Sequence, residues 1–263
     1  MKDVFQTLTN FYSNYDEEGR LLSKHGQVEY LTTMRYIEKY LRPGMRVLEI
    51  GAGTGRYSHT LARMGYRVDA VELIQHNIDI FASLTQPGED ITVRQGNAMD
   101  LSFFQDESYD MTLLLGPMYH LYTREEQLLA LSEAIRVTKK GGVVMAAYCG
   151  NDACLVQYGF RNGELLAPES KDMLNQETFM LSVGSTLLFQ LYRMEDINCL
   201  MENFKVERLH FVGTDMATKY MQKEIDAMEE EFFRLYLDYH FSICERQDMV
   251  GVSHHFLDVF RKM

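Results

Sequence analysis

Proline occurs only four times in 263 residues, and no Pro/Ser-rich, repeated or low-complexity tract interrupts the chain. Nothing marks a linker, so one compact domain spanning 1–263 and carrying elaborations is expected. Cysteine is equally sparse: Cys149, Cys154, Cys199 and Cys244 show neither C-x-x-C spacing nor a histidine grouping. That argues against a zinc site and reads as free thiols in a reducing compartment. No metal is expected, Asp110 being read as a strand-end residue despite the nearby Asp106 and Glu107. No stretch approaches the ~18 apolar residues of a membrane span. Residues 1–20 are polar and aromatic, without the apolar region of a signal peptide, so a cytoplasmic location is expected. Positive charge is also short. Against 38 Asp and Glu stand 26 Lys and Arg, a formal net charge of −12. Binding phosphate needs a basic face, and no Lys/Arg cluster offers one. Neither nucleic acid nor an anionic membrane is expected as a partner.

What is present is a regular alternation of elements. Residues 26–41 space Tyr30, Met34, Ile37 and Leu41 as a helix does, and Pro43-Gly44 stops it. Strands are predicted at 45–50, 67–72, 91–95, 109–115 and 143–148, with helices to about Met64, at 75–84, and after the capping box Thr123-x-x-Glu126. Strands alternating with helices imply a parallel sheet with crossovers on both faces. Beyond residue 150 the pattern is less regular. An insertion is expected over 150–190, a helix at 194–204, a strand at 205–212, a long helix at 216–244 and a last strand at 255–261. Met221, Ile225, Met228, Phe232, Leu235 and Tyr239 form one apolar stripe along that long helix.

Chemistry concentrates at three strand ends. Gly51-x-Gly53-x-Gly55 follows the first strand and opens a helix, as a turn admitting close backbone approach to a ligand would. A dinucleotide fingerprint would need glycine where Arg56 stands, and a P-loop would need Gly-Lys-Ser/Thr. Glu72 closes the second strand, placed to accept hydrogen bonds from ribose hydroxyls. The fourth strand runs into Gly116-Pro117-Met118-Tyr119-His120.

The run V-L-E-I-G-A-G-T-G-R-Y at 47–57 resembles the first motif of the class I S-adenosylmethionine-dependent methyltransferases. V-D-A-V-E at 68–72, R-Q-G-N-A-M-D-L at 94–101, Y-D-M-T-L-L-L-G-P-M-Y-H-L at 109–121 and L-S-E-A-I-R-V-T-K-K-G-G at 131–142 continue the resemblance in order. It implies an α/β, Rossmann-like fold: a seven-stranded, mostly parallel sheet with helices on both faces and helical insertions after strands 5 and 6. Residues 1–44 would be an N-terminal helical cap, 45–148 the cofactor-binding core, and 150–190 with 214–250 a substrate lid or a dimer surface. The implied cofactor is S-adenosyl-L-methionine, with S-adenosyl-L-homocysteine as product.

The resemblance also assigns residues. Glu49 and Gly51 would face the methionine part, with Gly53 and Gly55 giving the loop its close approach. Glu72 would hold the ribose, Leu73 would pack on the adenine, and Asn97, Ala98 and Met99 would line it. Leu115 and Gly116 would lie beside the transferred methyl. Amino-methyltransferases of nucleic acids place an Asp or Asn where this chain has Gly116, so L-G-P-M-Y-H-L resembles the branch acting on small molecules. The expected partner is a small-molecule methyl acceptor presenting an oxygen or nitrogen nucleophile. His120 is either a general base or a hydrogen-bonding group of the loop, and Tyr119 has the same two readings. In the aromatic N-terminal cluster Phe11, Tyr12, Tyr15, Asp16, Arg20 and His25, Tyr15 is the candidate cofactor contact, and simple packing on the sheet is the alternative. Two other classes compete. A macromolecule-directed methyltransferase predicts an open, flat site, and a non-catalytic cofactor-binding regulator predicts no room for an acceptor.

Overall fold

The computed structural model describes residues 4–170, 173–182 and 188–263. Parts of the expected 1–44 cap and 150–190 insertion (1–3, 171–172 and 183–187) lie outside the described residues. The cap contributes α1 (Val4–Tyr12) and α2 (Lys24–Tyr40), the latter begun by Ser23, whose hydroxyl accepts the Gly26 amide. The core follows as β1 (Arg46–Ile50), α3 (Arg56–Arg63), β2 (Arg67–Glu72), α4 (Gln75–Leu84), β3 (Ile91–Gln95), β4 (Tyr109–Leu114), α5 (Arg124–Val137) and β5 (Thr138–Gly150). After it come α6 (Asn151–Cys154), a π-helical turn at Leu155–Arg161, β6 (Leu191–Tyr192), α7 (Met194–Met201), β7 (Val206–Gly213), α8 (Gln222–Asp226), α9 (Glu230–Ile243) and β8 (His255–Lys262).

The sheet has eight strands in the order β3-β2-β1-β4-β5-β8-β7, with β6 beside the end of β5. β1 to β5 pair in parallel, and β8 runs antiparallel to both β5 and β7. Alternate residues of each central strand feed two cores, as a sheet covered on both faces requires. Leu48, Ile50, Leu114, Val144 and Phe260 pack with Leu131 and Ala134 of α5 and Ile197 of α7. Val47, Met111, Leu113, Met145 and Val259 pack with Ile37 of α2, Leu61 of α3 and Ile243 of α9.

The main path of the sheet has the expected seven strands, and the two-residue β6, just after the 150–190 insertion, adds an eighth by pairing Leu191 and Tyr192 with Cys149 and Gly150. Two expectations are corrected. β5 begins at Thr138, before the double glycine. Its register jumps from Tyr109↔Thr138 to Met111↔Val143, so Gly141, with φ of +78°, sits in an irregularity inside the strand. The long helix is broken. A 3-10 turn over Met216–Met221 and α8 precede a non-helical link at 227–229, and α9 starts afresh. The break rotates α9, so Phe233, His240 and Ile243 turn inward. Phe232, Leu235 and Tyr239 of the supposed stripe are 58%, 62% and 53% exposed.

Candidate active site

A cleft of about 310 Å³ opens at the carboxyl ends of β1, β2 and β4. Strand order reverses between β1 and β4, the place where open α/β sheets take ligands. Gly51 and Gly53 turn with φ of +75° and +55°, and the Gly51 and Ala52 amides donate to Val71 O at 2.8 and 3.1 Å. A Cβ on Gly51 would lie 2.5 Å from Pro117 Cδ, so the turns after β1 and β4 meet too closely for a side chain. Around this cradle stand Leu73, Asn97, Ala98, Met99, Leu115 and Gly116. Asn97 Oδ1 accepts the Met99 amide at 3.0 Å, which leaves its amide nitrogen as a donor.

Glu72 lines the cleft from the end of β2. Its carboxylate accepts the Gly53 and Ile74 amides, each at 2.9 Å, and Asn77 Nδ2 at 3.3 Å. An ionised carboxylate has about four acceptor positions, so capacity toward the cleft remains. A glycine turn of positive φ beside an acceptor carboxylate fits a bound nucleoside. Glu49 also reaches the cleft, but its Oε2 takes the amide of Ser58 at 3.0 Å and the Ser58 hydroxyl, tying β1 to the first turn of α3.

Burial pushes the Glu49 carboxyl up to about 8, outweighing both Ser58 donors, and Glu72 adds to the rise. A carboxyl raised in the folded state contributes stability that is complete below its unfolded value, near ~4.3, and lost as pH rises through the folded one. Glu49→Gln keeps the neutral shape. It is therefore expected to gain stability relative to the wild type between about pH 5 and pH 8. Denaturant midpoints of both proteins at the two pH values check this, and a pH-independent difference would contradict it.

Two cofactor candidates fall elsewhere. Gly55 does not line the cleft: a Cβ there would sit 2.4 Å from the Phe81 ring, so its φ of +91° serves packing of α3 against α4. Tyr15 stacks on Phe11, ring centroids 5.1 Å apart, and lines a neighbouring cavity. The catalytic candidates are both engaged. Tyr119 donates to Leu115 O at 3.0 Å, which holds its own turn. His120 Nε2 lies 2.7 Å from the Tyr12 hydroxyl and Nδ1 lies 3.4 Å from Leu188 O. Burial pushes this imidazole down to about 4, so it is neutral and Tyr12 donates to it.

The N-terminal segment closes the site from above. Glu17 lies along Gly53, at 3.3 Å from where its Cβ would be, and Glu18 accepts the Thr54 hydroxyl at 2.8 Å. Arg20 donates to both oxygens of Glu29 at 2.9 and 3.0 Å, and to Glu17 at 3.3 Å. Asp16 accepts the Gly19 amide, and His25 pairs with Asp226 at 2.8 Å, so neither faces the cleft.

Tyr12, Glu17, Arg20 and Tyr119 belong also to the wall of a second cavity, of about 670 Å³. Phe11, Tyr15, Tyr158 and Phe189 give it an aromatic lining, while Lys219, His254 and His255 bring polar groups. The Asp215 carboxylate receives His255 Nδ1 at 2.7 Å, the Ser253 hydroxyl at 2.7 Å and the His254 amide at 2.8 Å. Burial opposes its charge, but His255 holds it far below the usual carboxylate range. Donor atoms of Glu29, Asp215 and His255 lie within 4.8 Å of one another. Arg20 already occupies both Glu29 oxygens, so we read the group as an ion-pair network. Sequence reasoning passed over Glu17, Glu29, Asp215 and the two histidines. The doublet His254-His255 before the last strand was the one local signal, and its partner lies 40 residues away.

A family model described as a methyltransferase domain matches residues 47–142. The cypemycin N-terminal methyltransferase of a Streptomyces species is 27% identical over 187 residues, 66% of this chain and 73% of that protein. The demethylmenaquinone methyltransferase of Lysinibacillus sphaericus is 26% identical over 147 residues, 54% of this chain and 59% of that one. Among solved structures, a Pyrococcus horikoshii protein superposes with a TM-score of 0.64 at 14% identity, over 97% of this chain and 99% of its own, a likeness of fold. Among the described residues no helix is long and apolar enough to cross a membrane. With its motifs in order along β1 to β5 and its glycine turn facing Glu72, the chain carries over residues 47–142 a methyltransferase domain of the class I S-adenosylmethionine-dependent kind.

Proposed function

We propose that this chain methylates an oxygen or nitrogen of a small aromatic molecule held in the second cavity. The observation that carries the reading is the shared wall: Tyr12, Glu17, Arg20 and Tyr119 line both spaces. A regulator that only binds cofactor needs no such room, and a macromolecule-directed enzyme calls for an open mouth. The aromatic lining suits a flat, apolar acceptor body. Of the relatives, one is named for demethylmenaquinone and another for the N terminus of cypemycin. The net charge of −12 disfavours a nucleic-acid substrate.

S-adenosylmethionine supplies the electrophilic methyl when bound. The chain's own residues hold and align. Glu72 would accept the ribose hydroxyls, and Leu73 and Asn97–Met99 would border the adenine. Glu49, Gly51 and Gly53 would border the methionine part, and Leu115 and Gly116 the methyl. Tyr12, hydrogen-bonded to His120, and Tyr15, stacked on Phe11, roof the junction and keep water out, leaving alignment as the main contribution to rate. His120 acts through that contact with Tyr12. We assign Cys154, Tyr158, Glu164 and Leu165 of the first insertion and Lys219 of the second to the acceptor side.

Methyl-labelled S-adenosylmethionine, offered with a panel of phenols, aromatic amines and aromatic acids and, separately, with bulk protein and RNA, tests the reading. Label is expected in the small-molecule fraction. Label confined to protein or RNA would contradict it.

A further inference from the structure

The second cavity holds a hydrogen-bonded histidine–aspartate pair that the cofactor-binding motifs do not include. His255 opens β8 and lines the cavity, and its Nδ1 lies 2.7 Å from Asp215 Oδ2. Asp215 is fully buried and engages Nδ1, which leaves Nε2 as the ring nitrogen turned away from it. Among the described residues Nε2 has no hydrogen-bond partner. Beside it lies His254, 2% exposed and part of the same wall, with both ring nitrogens buried and unpartnered. A buried imidazole left so costs free energy unless something polar meets it. Tyr158 and Tyr220 flank that ring, at centroid distances of 5.8 and 5.0 Å, without hydrogen-bonding either of its nitrogens.

Resting on the methyl-transfer reading above, we propose that His255, oriented by Asp215, is the general base that deprotonates a phenolic hydroxyl of the acceptor, while His254 hydrogen-bonds a second polar group on the same ring. The acceptor's O–H bond breaks and its proton passes to His255 Nε2. The oxygen keeps that pair and forms the bond to the methyl carbon, as the carbon–sulfur bond breaks with its pair going to sulfur. The imidazolium so formed faces Asp215 and, at 3.4 Å, Glu29. Charged or titratable groups meet it from each side: Glu29 of α2, Arg20 before it, Lys219 of the 3-10 turn, Cys149 of β5 and His254 of its own approach. Although burial raises it, the Arg20 guanidinium holds Glu29 down at about 2, so it too is an anion beside the ring. An aromatic amine attacks as the neutral base and needs no such proton acceptor, which is why this pair selects a phenol.

The test uses the full chain with S-adenosylhomocysteine or S-adenosylmethionine and a panel of one- and two-ring phenols, a nitrophenol and matched anilines. Diethyl pyrocarbonate should modify His255, found by peptide mass spectrometry, and phenols but not anilines should protect it. The bound nitrophenol should show its ionised absorbance at a pH where the free probe is neutral, and His255→Gln should abolish that shift. With labelled cofactor, His255→Gln should lower turnover of an un-ionised phenol about 100-fold or more. A nitrophenol already ionised in solution should lose far less. Imidazole should partly rescue His255→Ala, and Asp215→Asn should lower kcat while leaving KM nearly unchanged. Homocysteine-product affinity retained in the variants shows that the fold and the cofactor site are intact. Equal turnover by His255→Gln, no protection by any phenol, or anilines favoured over phenols would each overturn the base assignment with cofactor binding still standing. Failure of the wild type to bind S-adenosylhomocysteine would instead overturn the reading beneath it.

Discussion

Replacing Glu72 with alanine is expected to weaken S-adenosylhomocysteine binding by about 1–3 kcal/mol, roughly 5- to 150-fold in Kd. Ribose hydroxyls that leave water for the cleft need an acceptor, and the Glu72 carboxylate lines that wall at the end of β2. The same carboxylate accepts the amides of Gly53 and Ile74, so its removal leaves two backbone donors unpaired and slackens the glycine turn. Both losses act in one direction, which places the expected value in the upper half of the range. Calorimetric titration of the variant checks it, and unchanged affinity would remove Glu72 from the site.

Gly55→Ala should damage the fold rather than the cofactor contact. A methyl at that position would sit 2.4 Å from two carbons of the Phe81 ring and 2.9 Å from His59 Cδ2. Phe81 is fully buried and packed on His59, so it has nowhere to move. The left-handed backbone at φ +91° adds its own penalty for any L side chain. Together these are expected to cost about 2–5 kcal/mol of stability, read from the denaturant midpoint. Gly53→Ala is the informative contrast. Its new methyl would lie 3.3 Å from Glu17 Cγ, on a partly exposed side chain of the N-terminal segment. That change should loosen the roof and weaken homocysteine-product binding with less effect on the midpoint. If Gly55→Ala were as stable as the wild type, the packing role assigned to Gly55 would fail.

The contrast shows how far residue pattern alone reaches. G-x-G-x-G announces a tight turn at a strand end, but which glycine faces ligand depends on Pro117 and Phe81, distant in sequence from the loop. β2 begins and ends where its apolar run and flanking turns suggest, since a central parallel strand is buried on both sides. The break before α9 left no such trace. Residues 221–239 keep helical periodicity throughout, and it is the packing of Phe233 and Ile225 around Val28 that favours two short helices over one. The two-residue β6 was too short for any alternation to register. The wall of the second cavity is written in long-range contacts: Tyr12 with His120 and Asp215 with His255. Local motifs carry the first cleft because each strand end brings its own short run of residues, and the tertiary fold alone assembles the second cavity.

Calorimetric titration of the wild-type chain with S-adenosylhomocysteine tests the central claim most directly. One saturable site is expected, with a rise in melting temperature that grows with ligand concentration. Absence of both heat and thermal shift at millimolar ligand would contradict a cleft built for this cofactor.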